Sequence, residues 1–282
     1  MIIFKKVADI QNYISIQKEK GKSVGFVPTM GALHEGHISL IEFGKTQSDF
    51  LICSIFVNPT QFNDKNDFEK YPITIDADIE LLEKNHCDVL FLPSVAEMYP
   101  DGMELKTHYD LGNIENLLEG AFRPGHFQGV CQVVERLLRI VLPDKLFMGQ
   151  KDYQQVMVLK KMIQLQNLDT ELIMLPIKRS QAGLALSSRN ARLNQENLDH
   201  ALTIIRVLEK IKSNISKNTF ETLKKDAEDT LLNNGFEKID YIELAQQEDL
   251  QSLPIWIKDT PSIILIAAWI EGVRLIDNIL ID

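Results

Sequence analysis

The chain is 282 residues long, with 45% hydrophobic and 25% charged residues, which is the composition of a globular protein with one large or two ordinary domains. The formal net charge of −10 argues against a nucleic-acid-binding surface, because such a surface needs a basic stripe to neutralise phosphates. One local cluster of donors can still hold a nucleotide on an acidic protein. We therefore expect small-molecule partners and no nucleic acid.

The cysteines and the apolar segments predict a cytoplasmic protein. Cys53, Cys87 and Cys131 are widely spaced and form no CxxC pair, so neither a zinc site nor a disulfide framework is expected. The N-terminal MIIFKKVADI lacks the basic, apolar and small-residue order of a signal peptide. The longest uncharged apolar stretch, Ser262–Ile270, is too short to span a bilayer, and we expect no membrane partner.

The first ~175 residues alternate between short apolar strands and amphipathic helices, which is the pattern of a parallel α/β sheet. Residues 49–57 (DFLICSIFV) are almost continuously apolar, as expected for a strand that is buried on both faces. The predicted strands are residues 23–28, 49–57, 89–92, 145–148 and 170–177, and the predicted helices are residues 37–46, 76–85, 130–141 and 153–166.

The pattern changes after about Lys178. Residues 194–233 are mostly helical in pattern, and three β-like runs follow at residues 238–243, 262–269 and 273–281. Glu271-Gly272 predicts a tight hairpin turn between the last two runs. We therefore expect an α/β protein with a Rossmann-like parallel-sheet nucleotide-binding domain at residues 1–177 and a smaller α+β lid domain at residues 178–282.

The densest group of candidate site residues is PTMGALHEGH at residues 28–37, which ends a predicted strand and opens a helix. Free backbone N–H groups and the helix dipole favour an anion at such a junction. His34 and His37 are three residues apart and face the same way on a first helical turn, where imidazoles can donate hydrogen bonds to charge developing on a phosphoryl group. Gly36 lets a base or ribose lie close to the backbone. The segment resembles the HxGH signature of nucleotidyl-transferring α/β enzymes.

A metal site and a chance pair of surface histidines are the alternatives for this segment. The spacing differs from HExxH, and no third ligand lies nearby in the sequence, so we expect no protein-held metal. HxGH alone occurs often by chance, but its position after a strand-ending PTMG turn favours a nucleotide.

A second candidate is LSSR at residues 186–189, preceded by Lys178-Arg179 and Gly183. Hydroxyls and a guanidinium in a glycine-containing loop can wrap a triphosphate and stabilise departing pyrophosphate. The alternative is that Ser-Ser-Arg-Asn only caps a surface helix.

The segment GQKDYQQ at residues 149–155 also follows a predicted strand end. Lys151 can neutralise phosphate oxygens, and Asp152 can cap the helix or support Lys151 or a Mg²⁺ ion. Gln155 can bind a carboxylate or hydroxyl of a second substrate. The alternative is a solvated Lys-Asp pair with a capping role.

The segment FVNPTQF at residues 56–62 places Asn58 and Gln61 after a further strand end. Together with Gln155, such neutral amides between apolar walls suit a small branched hydroxy acid. The alternative is a turn in which Asn58 and Pro59 are only turn formers.

In their order and spacing, these four segments resemble the pantothenate synthetase family, as do MYPDG at residues 98–102, RPGHFQGV at 123–130 and RLIDNI at 274–279. The resemblance implies a homodimeric ligase that makes a coenzyme A precursor from pantoate, β-alanine and ATP with Mg²⁺. Pantoate's carboxylate would attack the α-phosphate to give pantoyl-adenylate and pyrophosphate. β-Alanine's amine would then attack the acyl carbon and release AMP and pantothenate.

The resemblance also implies roles for single residues. His37 would be the proton donor. The physical argument agrees, because joining an anionic acid to the α-phosphate needs positive groups, which we expect His34, His37, Lys151, Arg189 and Mg²⁺ to supply. The implied ATP-binding residues are Met30, Gly31, Ala32, Leu33, His34, Glu35, Gly36, His37, Gly149, Gln150, Lys151, Asp152, Lys178, Leu186, Ser187, Ser188 and Arg189.

For the other substrates, the resemblance implies that Gln61 contacts pantoate and β-alanine and that Gln155 contacts pantoate. From its position after the strand end, we expect Asn58 to bind substrate as well. Gln150 stands where many members have Glu, and residues 179–183 (RSQAG) replace the commoner Arg-Glu-x-Asp-Gly. Two rivals are a nucleotidyltransferase that acts on another small, phosphate-bearing acceptor and a nucleotide-sensing module without turnover.

Overall fold

A computed structural model of the protein describes residues 1–62, 68–105 and 107–281. In these residues, six parallel strands form one sheet in the order β1-β4-β3-β2-β5-β6. The strands are β1 (Ile2–Phe4), β2 (Val24–Thr29), β3 (Phe50–Ile55), β4 (Val89–Phe91), β5 (Lys145–Gly149) and β6 (Glu171–Leu175). The predicted parallel sheet is confirmed, and β1 is an edge strand that the sequence pattern missed.

The helices around this sheet include all four that the periodicity predicts. They are α1 (Val7–Glu19), α2 (Glu35–Gln47), α3 (Ile75–Lys84), α4 (Val95–Met98), α5 (Leu118–Phe122), α6 (His126–Val141) and α7 (Tyr153–Leu165). Helix α6 begins four residues before its predicted start, because its first turn, His-Phe-Gln-Gly, carries no apolar periodicity although it is buried. Helix α1 was missed, since only one narrow side of it is buried.

The order of the strands reverses beside β2. The chain runs from β2 to β3 and β4 on one side, and then crosses to β5 and β6 on the other side. In parallel sheets, ligands bind outside the carboxyl ends of the strands at such a switch point. The HxGH segment follows β2 and Lys151 follows β5, so the topology brings them to the same edge.

The C-terminal part is an α+β unit, as predicted. Its helices are α8 (Gln195–Ala201), α9 (Thr203–Asn214) and α10 (Phe220–Asn233), and its antiparallel strands are β7 (Lys238–Gln246), β8 (Ser262–Ile270) and β9 (Val273–Ile281). Glu271 and Gly272 have φ values of +47° and +66°, and positive φ at both central residues is what a type I′ turn requires. The predicted hairpin between β8 and β9 is confirmed.

The three-stranded sheet buries both of its faces. Tyr241, Ile263 and Leu265 pack into the same apolar cluster as the helices of the parallel sheet, while Ile264 and Ile266 pack against the C-terminal helices. Because successive strand residues point to opposite faces, the continuous apolar run of β8 serves both contacts. The division between residues 177 and 178 stays a prediction.

The described residues contain neither a membrane-spanning helix nor an exposed thiol. No helix among them is both long and apolar enough to cross a bilayer. Cys53, Cys87 and Cys131 are buried free thiols. Burial raises the pKa of Cys87 to about 11 and that of Cys53 well above its usual range, so both thiols are weak nucleophiles at pH 7.

Candidate active site

Two imidazoles cap the start of α2, and their hydrogen bonds to main-chain N–H groups fix the tautomer of each ring. Nδ1 of His34 accepts a hydrogen bond from the Gly36 N–H at 3.1 Å, and Nδ1 of His37 accepts one from the His34 N–H at 3.3 Å. A backbone N–H can only donate, so each Nδ1 is unprotonated and the proton of the neutral ring lies on Nε2. The ring centroids are 4.1 Å apart, and the pair therefore offers two adjacent Nε2–H donors.

Both rings are neutral at pH 7 in the structure. Burial is the main cause that lowers the pKa of His34 to about 4 and that of His37 to about 3. The Lys151 ammonium lowers both pKa values further, and Asp152 partly opposes it at His34. The expectation that both histidines are positive groups is thus corrected: they are hydrogen-bond donors, and positive charge at this edge of the sheet comes from Lys151 and Arg189.

Gly36 is required by the histidine cap itself. A Cβ at this position would lie 2.7 Å from Cε1 of His34, closer than carbon atoms approach. Nδ1 of the same ring would lie 2.8 Å away, whereas Cβ of Leu186 would lie 3.7 Å away, at ordinary contact distance. The glycine therefore lets the His34 ring fold over the first turn of α2, a reason that the sequence analysis did not identify.

A buried carboxylate that the sequence analysis missed holds the turn before α2. Oδ2 of Asp78 accepts from the Ala32 N–H at 2.9 Å, and Oδ1 accepts from the Leu33 N–H at 2.8 Å and from the Thr74 hydroxyl at 3.1 Å. Ala32 has a φ of +48°, a left-handed conformation that costs energy for a residue with a Cβ. Asp78 lies on the apolar face of the α3 periodicity, and a charged residue at that position is the signal that could have identified it.

The turn after β5 places three polar side chains at the same edge of the sheet. Lys151 is largely buried, and its Nζ lies 3.9 Å from Oδ2 of Asp152. Both residues line the cleft together with Gln155. Gln150 points away from it: its side-chain amide donates to Oδ1 of Asn278 on β9 at 3.0 Å, and the Asn278 amide returns a bond of 3.0 Å to the Gln150 carbonyl.

The Ser-Ser-Arg segment closes over the turn before α2. The Ser188 hydroxyl donates to the Ala32 carbonyl at 3.0 Å. The Ser187 hydroxyl accepts from the Arg189 N–H at 3.3 Å and caps the short helical turn that follows, so the capping alternative describes this residue in the ligand-free protein. The Arg189 guanidinium lies 6.0 Å from the centre of the Tyr71 ring, within the range of a cation–π contact.

A buried ion pair ties the same segment to the C-terminal sheet. The Leu186 N–H donates to the Lys178 carbonyl at 3.1 Å, which closes the loop between them. Inside this loop, the Arg179 guanidinium donates two hydrogen bonds to the Asp277 carboxylate of β9, at 2.6 and 2.9 Å. A bidentate pair of this kind fixes direction as well as distance.

Gln61 reaches the cleft, whereas Asn58 lies behind it. The Gln61 side-chain amide is 2.9 Å from the Met30 sulfur, and both residues line the cleft. Asn58 is 1% exposed; its amide nitrogen lies 3.4 Å from Oε1 of Gln61, and its oxygen accepts from the Tyr99 hydroxyl at 2.9 Å. Asn58 is therefore placed to orient Gln61, and its predicted contact with a substrate stays a prediction.

Among the residues that the structure describes, two adjoining cavities form the cleft. The smaller has a volume of about 230 Å³, and the larger, about 510 Å³, extends toward β7, β8 and β9. Both are lined by Met30, Gln61, Lys151, Asp152, Gln155, Ser187 and Arg189. The smaller is also lined by His34, Gly36, His37, Gly149, Lys178, Leu186 and Ser188. The predicted residues outside the described lining are Gly31, Ala32, Leu33, Glu35, Gln150 and Asn58.

A cleft at the switch point of a parallel sheet, with two imidazole donors, a lysine and an arginine, defines the class of α/β enzymes that transfer nucleotidyl groups. The family model of pantoate-beta-alanine ligase matches residues 2–280 of the chain. The chain belongs to this family and is therefore an enzyme, a ligase. The resemblance inferred from the four motifs is confirmed.

Relatives that match along the whole chain are named pantothenate synthetase. The pantothenate synthetase of Thermoanaerobacter sp. (strain X514) is 46% identical over 283 residues, which cover 99% of this chain and 98% of that protein. The pantothenate synthetase of Cytophaga hutchinsonii is 42% identical over 285 residues, which cover 100% and 99% of the two chains.

Solved structures show the same fold. The crystal structure of pantothenate synthetase from Thermus thermophilus has a TM-score of 0.90 and 36% identity, with 99% of both chains covered. Pantoate-beta-alanine ligase from Francisella tularensis, complexed with beta-gamma ATP and beta-alanine, has a TM-score of 0.81 and 40% identity, with 99% of this chain and 97% of that chain covered. The predicted fold class is thereby confirmed.

Proposed function

We propose that the protein condenses pantoate with β-alanine to pantothenate through a pantoyl-adenylate, with ATP cleaved to AMP and pyrophosphate. Membership of the pantoate-beta-alanine ligase family supports the overall ATP-dependent reaction. The observation that carries the proposed intermediate is that imidazole donors, a lysine and an arginine from three distant segments share one cleft with two neutral glutamines. Such a cleft suits an anionic acid that meets a triphosphate.

In the first half-reaction, pantoate's carboxylate attacks the α-phosphate and pyrophosphate leaves. His37 and His34 donate Nε2–H bonds to the phosphate oxygens on which charge develops, which lowers the barrier without a rearrangement of charge in the protein. Lys151 and Arg189 offset the charge of the departing pyrophosphate. The neutral rings suit this role, because a donor that keeps its proton holds the oxygens in a fixed geometry throughout the step.

Pantoate is held by neutral groups on the other side of the cleft. Gln61 and Gln155 line the junction of the two cavities, and the Met30 side chain forms an apolar wall beside them. Amides can donate to a carboxylate and exchange hydrogen bonds with hydroxyl groups without adding charge. This arrangement favours a small branched hydroxy acid over an acceptor that carries a phosphate group.

Magnesium enters this reaction as part of the substrate MgATP. No group of three or more potential ligating side chains lies together among the described residues. Mg²⁺ commonly keeps several waters and binds phosphates with only one or two carboxylates. Asp152, whose side chain is half exposed in the cleft beside Lys151, is the carboxylate that fits this role. The bound ion would offset charge on the phosphates.

The family resemblance also supports a homodimer that works in the cytoplasm. Light scattering of the purified protein would test the dimer, with a mass of twice 32.2 kDa expected. A monomer at micromolar concentration would contradict it. Fractionation of the source cells would test the location.

A product assay tests the proposed function against the rival nucleotidyltransferase. The enzyme is incubated with ATP, pantoate and β-alanine, and each substrate is omitted in turn. Pantothenate and AMP should form only in the complete mixture. Adenylylation of a phosphate-bearing acceptor, with no pantothenate, would favour the rival instead.

A further inference from the structure

His126, the first residue of α6, has the opposite tautomer to the two histidines of α2. The side chain is 6% exposed, and its Nδ1 lies 2.8 Å from the main-chain carbonyl oxygen of Gln61. A carbonyl oxygen can only accept, so Nδ1 carries the proton and Nε2 of the neutral ring keeps a lone pair. The α2 pair offers donors, whereas His126 offers an acceptor.

The Nε2 lone pair of His126 is available to a ligand. The ring lines the larger cavity, next to the wall formed by Gln61, and within the described part of the chain no donor is bonded to Nε2. Burial and the nearby Arg123 guanidinium lower the pKa of His126 to about 4, against smaller opposing effects of the Gln61 bond and of the Glu119 and Asp152 carboxylates. The ring is therefore neutral at pH 7.

The second half-reaction needs such an acceptor. β-Alanine is an ammonium ion in water, and its nitrogen cannot attack a carbon until it has lost a proton. In the proposed first half-reaction, the Nε2–H groups of His34 and His37 donate to phosphate oxygens, and these nitrogens have no lone pair to offer. The neutral His126 imidazole, which lines the adjoining cavity, supplies a hydrogen-bond acceptor at the pantoate end of the cleft.

We propose that Nε2 of His126 binds the ammonium group of β-alanine and accepts one proton from it, after which the neutral nitrogen attacks the acyl-adenylate. The inference rests on the proposed function and extends it to a catalytic residue for the amide-forming step. One ammonium proton passes to Nε2, and the electron pair released on nitrogen then forms the C–N bond. The second N–H proton leaves as the tetrahedral adduct collapses and is taken by the phosphate oxygen of the departing AMP, whose bond to the acyl carbon breaks. His126 then returns its proton to solvent.

The surroundings of His126 act on the bound amine as well as on the imidazole. Burial and Arg123 disfavour a positive charge at this position, and they lower the pKa of an ammonium placed there by the same effect. The amine is thus favoured in its neutral, nucleophilic form. Glu119 and Asp152 partly offset this effect at His126.

Two variants separate the proton-accepting role from the structural role of the ring. In His126→Asn the side-chain N–H can still donate to the Gln61 carbonyl, but no atom reaches the position of Nε2. In His126→Gln an amide oxygen lies near that position and can accept a hydrogen bond without taking the proton. Pantoate-dependent ATP–pyrophosphate exchange measures the first half-reaction, and single-turnover decay of preformed adenylate with β-alanine measures the second.

We expect His126→Asn to slow aminolysis by β-alanine on the order of 10²-fold while exchange falls only about threefold or less. Hydroxylamine, which is neutral at pH 7, should still trap the adenylate at a rate close to that of the wild type. His126→Gln should keep the KM for β-alanine and lose rate.

Equal losses in exchange and aminolysis would overturn the proposal, because the ring would then only support Gln61. Wild-type aminolysis in either variant would overturn it as well, and so would an equal loss with hydroxylamine and with β-alanine. Absence of pantoate-dependent exchange in the wild type would instead contradict the proposed function itself.

Discussion

At the level of single side chains, the tautomers of three buried histidines give the two ends of the cleft different hydrogen-bond polarity. His34 and His37 hold backbone N–H groups with Nδ1, and His126 donates from Nδ1 to a carbonyl. The main chain therefore decides which rings donate and which ring accepts. The difference between donor and acceptor rings therefore does not depend on nearby charged side chains.

The donor role of His37 predicts a loss in the first half-reaction. His37→Ala should lower pantoate-dependent ATP–pyrophosphate exchange on the order of 10²-fold or more, with the cooperative unfolding transition retained. His37→Gln keeps a donor near the position of Nε2 and should lose less. Exchange at the wild-type rate in His37→Ala would remove this residue from the adenylation step.

The Asp78 carboxylate predicts a separate effect on ATP. In Asp78→Asn, the new amide N–H faces a backbone N–H, so the unfolding free energy should fall by about 1–3 kcal/mol. The displaced turn should raise the KM for ATP on the order of tenfold, with a smaller change in the KM for pantoate. Asp76→Asn, on the exposed side of the same helix, is the matched control. An equal rise in both KM values would argue against a specific role in positioning the ATP turn.

At the level of elements, most of the architecture follows from the sequence. The strands after which the site motifs stand are apolar and end at turn residues, so periodicity places their ends well. The edge strand β1 and the helix α1 were missed, because an edge strand and a mostly exposed helix need little apolar patterning. Helix α6 opens with a polar but buried turn, which periodicity cannot reveal.

The site could be predicted as a set of motifs but not as a set of contacts. The motifs gave His34, His37, Lys151 and Arg189, which the fold gathers at one edge. The sequence could not give the tautomers or the low pKa values, since these come from main-chain partners and burial. It also could not show that Asn58 is shielded from the cleft, because that depends on packing against Tyr99, which is distant in the sequence.

The Arg179–Asp277 ion pair, which joins the loop that precedes the Ser-Ser-Arg segment to β9, predicts coupling between stability and ATP binding. Asp277→Asn leaves the Arg179 guanidinium without its countercharge in a largely buried site and should cost about 3–5 kcal/mol. An Arg179→Met/Asp277→Leu double variant should recover most of that stability, because a packed apolar pair of similar volume replaces the charges. Its KM for ATP should remain raised, since the loop has lost its directional tether. Recovery of both properties would show that the pair has no role in positioning.

At the level of the whole molecule, three buried histidines predict a loss of stability in mild acid. The folded-state pKa values of His34 and His126 are about 4 and that of His37 is about 3, below the ordinary value of 6.5. Below pH 6.5 the unfolded chain binds protons that the folded chain does not, so stability falls as the pH drops toward these values and is fully present above 6.5.

Urea denaturation between pH 7.5 and 5 measures this effect. We expect a total loss on the order of a few kcal/mol over this range, with a smaller slope in His37→Gln. A free energy of unfolding that stays constant from pH 7.5 to 5 would contradict the conclusion that the three imidazoles are buried and neutral in the folded protein.

The claim that the cleft, built from segments more than a hundred residues apart, activates pantoate as its adenylate is tested most directly by ATP–pyrophosphate exchange without β-alanine. The wild type is incubated with MgATP and labelled pyrophosphate, with and without pantoate, beside a Lys151→Met variant as control. We predict labelled ATP only when pantoate is present, and a strongly reduced signal in the variant. Exchange that is independent of pantoate, or pantothenate formation without any exchange, would contradict activation of pantoate as its adenylate.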